Sequence, residues 1–151
     1  MDPELRELYQ QVILDHHRRP RNFREVPGAD RKAEGFNPLC GDHVTVELKL
    51  GTDGRYADIG FTGAGCAICT ASASMMTEAV LGKTPEEAEA LFQGFHRLVT
   101  GADDASAAER LGKLTVFAGV REFPVRVKCA SLPWHTFHAA AHGKGEPVTT
   151  E

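Results

Sequence analysis

The sequence lacks several features that would assign it to a specialised class of protein. None of its apolar runs approaches the roughly 20 residues that a membrane-spanning helix needs, and it does not begin with the apolar core of a signal peptide. It contains no internal repeat, no low-complexity segment, no G-x-S-x-G elbow and no phosphate-binding loop. From these absences we expect a cytosolic protein that does not insert into membranes.

Positive charge is not in excess either. Lys and Arg total 17 and Asp and Glu total 21, for a formal net charge of −4, so the electrostatics do not predict nucleic acid as a partner. Basic residues cluster in residues 16–21, at the end of a predicted helix. There they complement the negative end of the helix dipole, or they form a docking patch for an acidic partner.

Cysteine is scarce, with four residues in a chain of 151. In a reducing compartment, cysteines are more often metal ligands or catalytic groups than disulfide partners. Cys66 has the most informative setting, because glycines end an alternating segment just before it and small, helix-compatible residues follow. The pattern predicts a strand, a tight loop and a helix that starts at Cys66. The free N–H groups and the dipole at that helix end favour a thiolate.

The order of predicted elements indicates an α+β fold, with helices packed on one face of a small antiparallel sheet. Apolar and polar residues alternate over residues 44–50, which predicts a strand. Residues 51–54 predict a hairpin turn, and residues 56–61 predict the returning strand. Residues 21–36 are predicted to be mainly loop.

Helices are predicted before and after this hairpin in the chain. The first begins at an Asp-Pro-Glu sequence, residues 2–4, and ends before Pro20. The later helices are expected over about residues 66–81, 84–99, 106–117 and 125–142, with Pro133 either interrupting the last one or starting its main part. We assign residues 1–142 to one domain and residues 143–151 to a flexible C-terminal tail.

Three cysteines and one aspartate form a candidate set of metal ligands. Gly41 separates Cys40 from Asp42, and a bend there lets both side chains face one point. Cys66 begins a helix, and Cys129 lies near the predicted start of the last helix. Three thiolates and a carboxylate together make a complete set of four tetrahedral zinc ligands. The carboxylate, as the harder ligand, would bind a soft metal less firmly than the thiolates. Alternatively, the cysteines are small buried apolar residues and Asp42 is a turn residue.

Other residues near these cysteines suggest rival chemistry. Cys66 and Cys69 form a C-x-x-C, the spacing of a thioredoxin-like redox pair. The preceding βαβ pattern is missing, however, and we predict that Cys69 is a buried helical residue. His43 is either a substitute ligand or simply the start of a strand. Lys128 either stabilises a thiolate or persulfide anion on its neighbour, or it is solvated.

The last predicted helix also carries histidines on one face. His135, His138 and His142 are spaced at i, i+3 and i+7. Zinc binding would explain this spacing, but the sequence shows no further partner for the histidines, and a polar helix face is the preferred interpretation. Ser72 and Ser74 alternate with alanines in the helix after Cys66, and we predict that they permit close helix packing.

Three cysteine-containing segments carry a family resemblance. Residues 37–42 read Asn-Pro-Leu-Cys-Gly-Asp, residues 63–68 read Gly-Ala-Gly-Cys-Ala-Ile, and residues 126–132 read Arg-Val-Lys-Cys-Ala-Ser-Leu. In sequence and order, these segments resemble the cysteine boxes of the U-type iron–sulfur cluster assembly proteins, the IscU- and NifU-like family. The resemblance covers residues 5–142 and implies the α+β scaffold fold already inferred.

Three departures from the housekeeping scaffold branch make the sequence more similar to the SufU branch. Lys128 stands where the scaffold branch has histidine, and residues 122–126 read Glu-Phe-Pro-Val-Arg in place of its Leu-Pro-Pro-Val-Lys chaperone-docking motif. The chain between Cys66 and Cys129 is also longer, with the extra residues around positions 94–113. Members of the SufU branch hold zinc and take sulfur from a cysteine desulfurase.

By position, the resemblance implies that Cys40, Asp42, Cys66 and Cys129 bind Zn²⁺ and that Cys40 accepts persulfide sulfur. It implies a cysteine desulfurase and downstream iron–sulfur assembly proteins as partners. One alternative function is a scaffold on which a 2Fe–2S cluster is assembled on the same four ligands and passed to apo-proteins. A further alternative is a non-catalytic zinc module, in which the metal serves only folding.

Overall fold

The fold combines a four-stranded sheet with a set of helices, in a computed structural model that describes residues 3–101, 109–143 and 146–149. In chain order the elements are α1 (Pro3–Arg18), β1 (Arg31–Asn37), β2 (Asp42–Leu50), β3 (Tyr56–Ala64), α2 (Ala67–Val80), α3 (Pro85–Thr100), a 3-10 helix (Gly112–Glu122), α4 (Pro124–Ala141) and β4 (Val148–Thr149). This is the α+β architecture that the sequence predicts.

The sheet has the strand order β3-β2-β1-β4. Strands β2 and β3 pair antiparallel, as expected, β1 also pairs antiparallel with β2, and β4 pairs in parallel with β1. Strand β4 lies in the segment that we expected to be a flexible tail. Within that segment, Val148 and Thr149 pair with Gly35 and Phe36, a contact that the sequence analysis did not anticipate.

Strand β1 was not predicted, because it falls in the segment assigned mainly to loop. Its inward positions are Ala33, Gly35 and Asn37, all of them buried. Two of these residues are small and the third is polar, so the apolar alternation that marks a half-buried strand is missing. The strand exists because β2 offers it a full antiparallel ladder over residues 31–37.

Helix α4 is the central element of the core and packs against β1, β2, α2 and α3. Its Trp134 is buried and stacks on Phe95 of α3, with ring centroids 4.9 Å apart. Pro133 lies inside the helix and does not interrupt it. Because proline has no N–H, it cannot donate to the carbonyl four residues earlier, which belongs to Cys129.

Helix α2 lies between α1 and α4. Ser72 is fully buried and its hydroxyl donates to the carbonyl of Ala130 at 2.6 Å, which confirms the predicted close packing. On the other side, Ser74 Oγ is hydrogen-bonded to His16 Nδ1 at 2.7 Å. Arg21 pairs with Asp15 at 2.7 Å. Two members of the basic cluster, His16 and Arg21, thus make contacts within the protein.

One predicted helix has a different character from that expected. The α-helix predicted over about residues 106–117 is present at residues 109–111, and the chain continues as a 3-10 helix over Gly112–Glu122. Within it, the Thr115 hydroxyl donates to the carbonyl of Gly112 at 2.8 Å, a local bond that competes with α-helical pairing. Asp2 and Ser106, at the predicted starts of the first and fourth helices, lie outside the described residues. No helix in the described part of the chain is long and apolar enough to span a bilayer.

Gly63 in β3 gives a stability prediction. It has a φ of 126°, and a Cβ there would overlap the backbone carbonyl oxygen of His43. Gly54 is a matched control, because it also has a positive φ, 78°, but a Cβ there meets no described atom within 4 Å. We expect Gly54→Ala to lose about 1–2 kcal/mol and Gly63→Ala to lose about 1–3 kcal/mol more. Urea unfolding of both variants measures the difference, and equal losses would contradict the close approach.

Candidate metal centre

The first two candidate ligands flank the turn between β1 and β2. Gly41 has a φ of 71°, and this left-handed conformation provides the predicted bend between Cys40 and Asp42. Cys40 is partly exposed, whereas Asp42 is only 2% exposed. The turn therefore places a carboxylate in the interior and a thiol at the surface directly beside it.

Cys66 is the N-cap residue of α2, as the sequence predicts. Its sulfur accepts a hydrogen bond from the backbone N–H of Cys69 at 3.5 Å. Its own backbone N–H donates to Oδ1 of Asp42 at 2.8 Å. This second bond ties the start of α2 to the start of β2, and it brings the third candidate ligand next to the first two.

Cys129 reaches the same point from α4 and is fully buried. Its Sγ lies 3.3 Å from Sγ of Cys40. The ligand atoms of Cys40, Asp42 and Cys129 all lie within 4.8 Å of one another. The sulfur of Cys66 is not part of this tightest group, although its charge and a hydrogen bond that it accepts from the Cys129 thiol raise the pKa of Cys129.

The cluster has a negative electrostatic character. Burial raises the pKa of the Cys129 thiol far above its usual value, and hydrogen bonds to Cys40 and Cys66 and the charge of Cys66 raise it further. The carboxylate of Asp42 acts in the same direction. Without a cation, Cys129 is therefore held as a neutral thiol, because a second buried negative charge would be costly.

Two residues near the cluster have roles that the sequence analysis did not assign. Asn37 is fully buried, and its Nδ2 donates to Asp42 Oδ2 at 3.1 Å and to Cys129 Sγ at 3.5 Å. The charge of Cys66, followed by contact with Cys129, raises the pKa of Arg126. From the sequence, Asn37 could be assigned only to a turn motif. Nothing in the sequence indicated which side of α4 Arg126 would occupy.

Three residues for which the sequence suggested other chemistry lie outside the cluster. Cys69 is buried, and this burial, followed by the charge of Asp42, raises its pKa, which argues against a redox pair with Cys66. His43 follows Asp42 in β2, where alternate side chains face opposite sides of the sheet, and it stacks on Phe36. Lys128 lines a separate groove with His96 and other residues.

The donor set fits a zinc ion. Cys40, Asp42 and Cys129 converge on one point with Cys66 beside them, and three sulfurs with one carboxylate oxygen make a set that Zn²⁺ accepts. Both oxygens of Asp42 receive hydrogen bonds, from Cys66 and Asn37, which is the outer support that orients a ligating carboxylate. A divalent cation would also offset the burial and the negative charge that raise the pKa of Cys129.

Comparisons with known proteins agree on one family. The family model described as NifU-like N terminal domain matches residues 8–130. The iron–sulfur cluster assembly scaffold protein IscU of Streptococcus pyogenes is 41% identical over 137 residues, covering 91% of this chain and 84% of that protein. The zinc-dependent sulfurtransferase SufU of Bacillus subtilis is 40% identical over 127 residues, covering 84% of each chain.

Solved structures agree with the sequence matches. A crystal structure described as an iron–sulfur cluster assembly scaffold protein for the SUF system, from Fervidobacterium islandicum AW-1, has a TM-score of 0.82. It is 32% identical, and the match covers 89% of this chain and 97% of that one. The α+β fold and the suspected family are thus both confirmed.

The different burial of the four thiols predicts an order of chemical reactivity. In metal-free protein at neutral pH, we expect iodoacetamide to modify the partly exposed Cys40 and Cys66 before Cys69 and Cys129. The raised pKa of the two buried thiols leaves little thiolate below that pKa, and burial restricts access. Peptide mass spectrometry over a time course measures the order. Early modification of Cys129 would contradict the described packing.

Proposed function

The chain belongs to the NifU-like N-terminal domain family, and on that premise we propose that it is a zinc-binding acceptor of persulfide sulfur in iron–sulfur cluster assembly. The observation that carries the proposal is the convergence of a partly exposed thiol, Cys40, with a buried thiol and a buried carboxylate. The relative from Bacillus subtilis, named as a zinc-dependent sulfurtransferase, supports it. The sulfur donor is a cysteine desulfurase, and the protein acts in the cytosol.

We assign the metal to Cys40, Asp42, Cys66 and Cys129. Bound Zn²⁺ would keep the cysteine ligands deprotonated at neutral pH, including Cys129, whose pKa is raised in its absence. The chain itself supplies the remaining organisation. Asn37 and the N–H of Cys66 orient the carboxylate of Asp42, and the packing of α4 on the sheet fixes the position of Cys129.

Cys40 is the accepting residue because it combines exposure with a position at the edge of the cluster. Its thiolate attacks the outer sulfur of the persulfide on the desulfurase. The S–S bond in the desulfurase breaks, a new S–S bond forms on Cys40, and the desulfurase cysteine leaves as a thiolate. The exchange is balanced and needs no external oxidant, since it follows the course of thiol–disulfide exchange.

The surroundings of Cys40 suit such an encounter. Arg126 lies where its positive charge stabilises the cysteine sulfurs and a persulfide anion formed beside them. Leu39, next to Cys40 in the turn, is 64% exposed. Phe123 and Val125, at the start of α4, are also exposed. We expect these exposed apolar side chains, of which Leu39 is adjacent to Cys40, to contribute to the surface that contacts the desulfurase.

A second function uses the same residues. The four donors would also hold a 2Fe–2S cluster that is built on the protein and passed to an apo-protein, and the relative from Streptococcus pyogenes is named as a scaffold. We rank this second, because the SufU-like features at Lys128 and residues 122–126 favour the sulfur acceptor. A zinc module without chemistry is third, because such a module does not need an exposed ligand like Cys40.

The sulfur-acceptor proposal predicts a change in mass. After incubation with a cysteine desulfurase and cysteine, we expect the wild-type chain to gain one sulfur atom and Cys40→Ala to gain none. Cys69→Ala is the matched control, because it also removes a cysteine but a buried one outside the cluster, and it should gain sulfur like the wild type. Intact-mass spectrometry without a reductant measures the gain, and later treatment with a thiol should remove it.

Two results would contradict the assignment. If neither wild type nor variant gains sulfur while the desulfurase still consumes cysteine, the chain is not an acceptor. If Cys40→Ala gains sulfur as the wild type does, another residue is the acceptor. Circular dichroism of both variants confirms that the comparison is between folded proteins.

Anaerobic iron loading separates the acceptor from the scaffold. We expect protein that holds zinc to remain colourless when ferrous iron, sulfide and a reductant are added, because thiolate sites generally bind Zn²⁺ more tightly than Fe²⁺. Visible absorption and transfer to an apo-ferredoxin are the measurements. A coloured, iron-bearing protein that transfers its cluster to the apo-ferredoxin would favour the scaffold function instead.

A further inference from the structure

Two helices bring a second group of metal-binding side chains together. His138 and His142 are four residues apart on α4, on one face of the helix. Glu89 of α3 lies between them, with its Oε2 3.3 Å from His138 Nε2 and 3.7 Å from His142 Nε2. The sequence showed the histidine face but not its partner, because the carboxylate comes from a helix almost 50 residues earlier.

The spacing of the three ligand atoms fits a metal site, and in the absence of an ion His138 makes a side-chain hydrogen bond to Glu89. Zinc ligands at about 2.0–2.1 Å from the ion, arranged tetrahedrally, lie roughly 3.4 Å from one another. The two N–O distances of 3.3 and 3.7 Å bracket that value. Both imidazoles present the same ring atom, Nε2, to the same oxygen.

Neighbouring side chains hold this group in place. Gln93 donates to Glu89 Oε1 at 3.1 Å, which leaves Oε2 directed at the histidines. The ring of His138 stacks on Phe92, with centroids 4.5 Å apart and planes 20° apart. Burial acts to raise the pKa of Glu89, but the bond from Gln93 and the charges of both histidines outweigh it, and the pKa is lowered. The carboxylate is therefore ionised and oriented, as a ligand must be.

We propose that Glu89, His138 and His142 form a second binding site for a divalent transition ion of the zinc class. Two imidazoles and one carboxylate are the protein ligands of zinc sites that keep a fourth position open. All three side chains are reachable from solvent, with exposed fractions of 25% for His138, 38% for Glu89 and 52% for His142. The site is therefore one for an exchangeable ion, not a buried structural one.

The second site is separate from the cysteine cluster. His138 follows Cys129 by nine residues on the same helix, so the two lie roughly 14 Å apart along its axis. Glu89 and His142 also border a cavity of about 400 Å³, which is lined in addition by Arg31, Tyr56 and Glu86. This cavity gives water or a small ligand access to the open coordination position.

The test is a count of bound zinc on the full chain. With Zn²⁺ in equilibrium dialysis followed by metal analysis, we expect the wild type to bind one ion more per chain than the double variant His138→Ala/His142→Ala. The readout is the difference in bound zinc between the two proteins, which does not depend on how much zinc the cysteine cluster holds. If the cysteine cluster does not bind zinc, the total falls equally for both proteins and the difference of one ion remains. Equal totals for the two proteins would overturn the second site.

Single variants locate the ion. Glu89→Gln removes the charge of the side chain but keeps its size. We expect it to lower the affinity for the extra ion by more than the roughly 10–100-fold that is typical of losing a residue hydrogen-bonded to a metal ligand. His142→Ala alters the most exposed ligand and guards against unfolding of the double variant. His17→Ala removes an exposed histidine of α1 and should match the wild type. Loss of the same ion in His17→Ala, or none in His142→Ala and Glu89→Gln, would overturn the assignment.

Discussion

The buried carboxylate of Asp42 is the interaction on which the arrangement of the cysteine cluster depends. It is bound on one oxygen by the N–H of Cys66 and on the other by Asn37, so it links the end of β1 and the start of β2 with the start of α2. Burying a charge is costly unless it is hydrogen-bonded and compensated. The contacts that satisfy Asp42 are also those that set the positions of the neighbouring thiols.

Helix α4 delivers the last thiol to this point and depends on packing far from it. Trp134 and Phe137 are buried in the core and fix the helix against α3 and the sheet. Cys129 is carried into the cluster by this packing, where burial keeps it neutral until a cation is present. Substitutions in the aromatic core should therefore disturb the cluster without touching any of its residues.

The sequence predicted some parts of this structure well and others poorly, for identifiable reasons. The β2–β3 hairpin and the N-cap position of Cys66 follow from local patterns, and the structure confirms them. Strand β1 was missed because its inward residues carry no apolar signal. The roles of Asn37, Arg126 and Glu89 depend on contacts between distant segments, which no local pattern contains.

The two donor groups on α4 differ in chemistry, and this difference has a consequence for metal selection. The cluster at Cys129 is rich in sulfur, which favours soft ions, whereas the proposed site at His138 and His142 offers nitrogen and oxygen. A soft ion would therefore bind tightly at the cysteine cluster and only weakly at the site of His138 and His142. Because a single rigid helix carries both, an ion at the exposed site could bind or leave without displacing Cys129. Exchange at one end of α4 need not disturb the sulfur chemistry at the other.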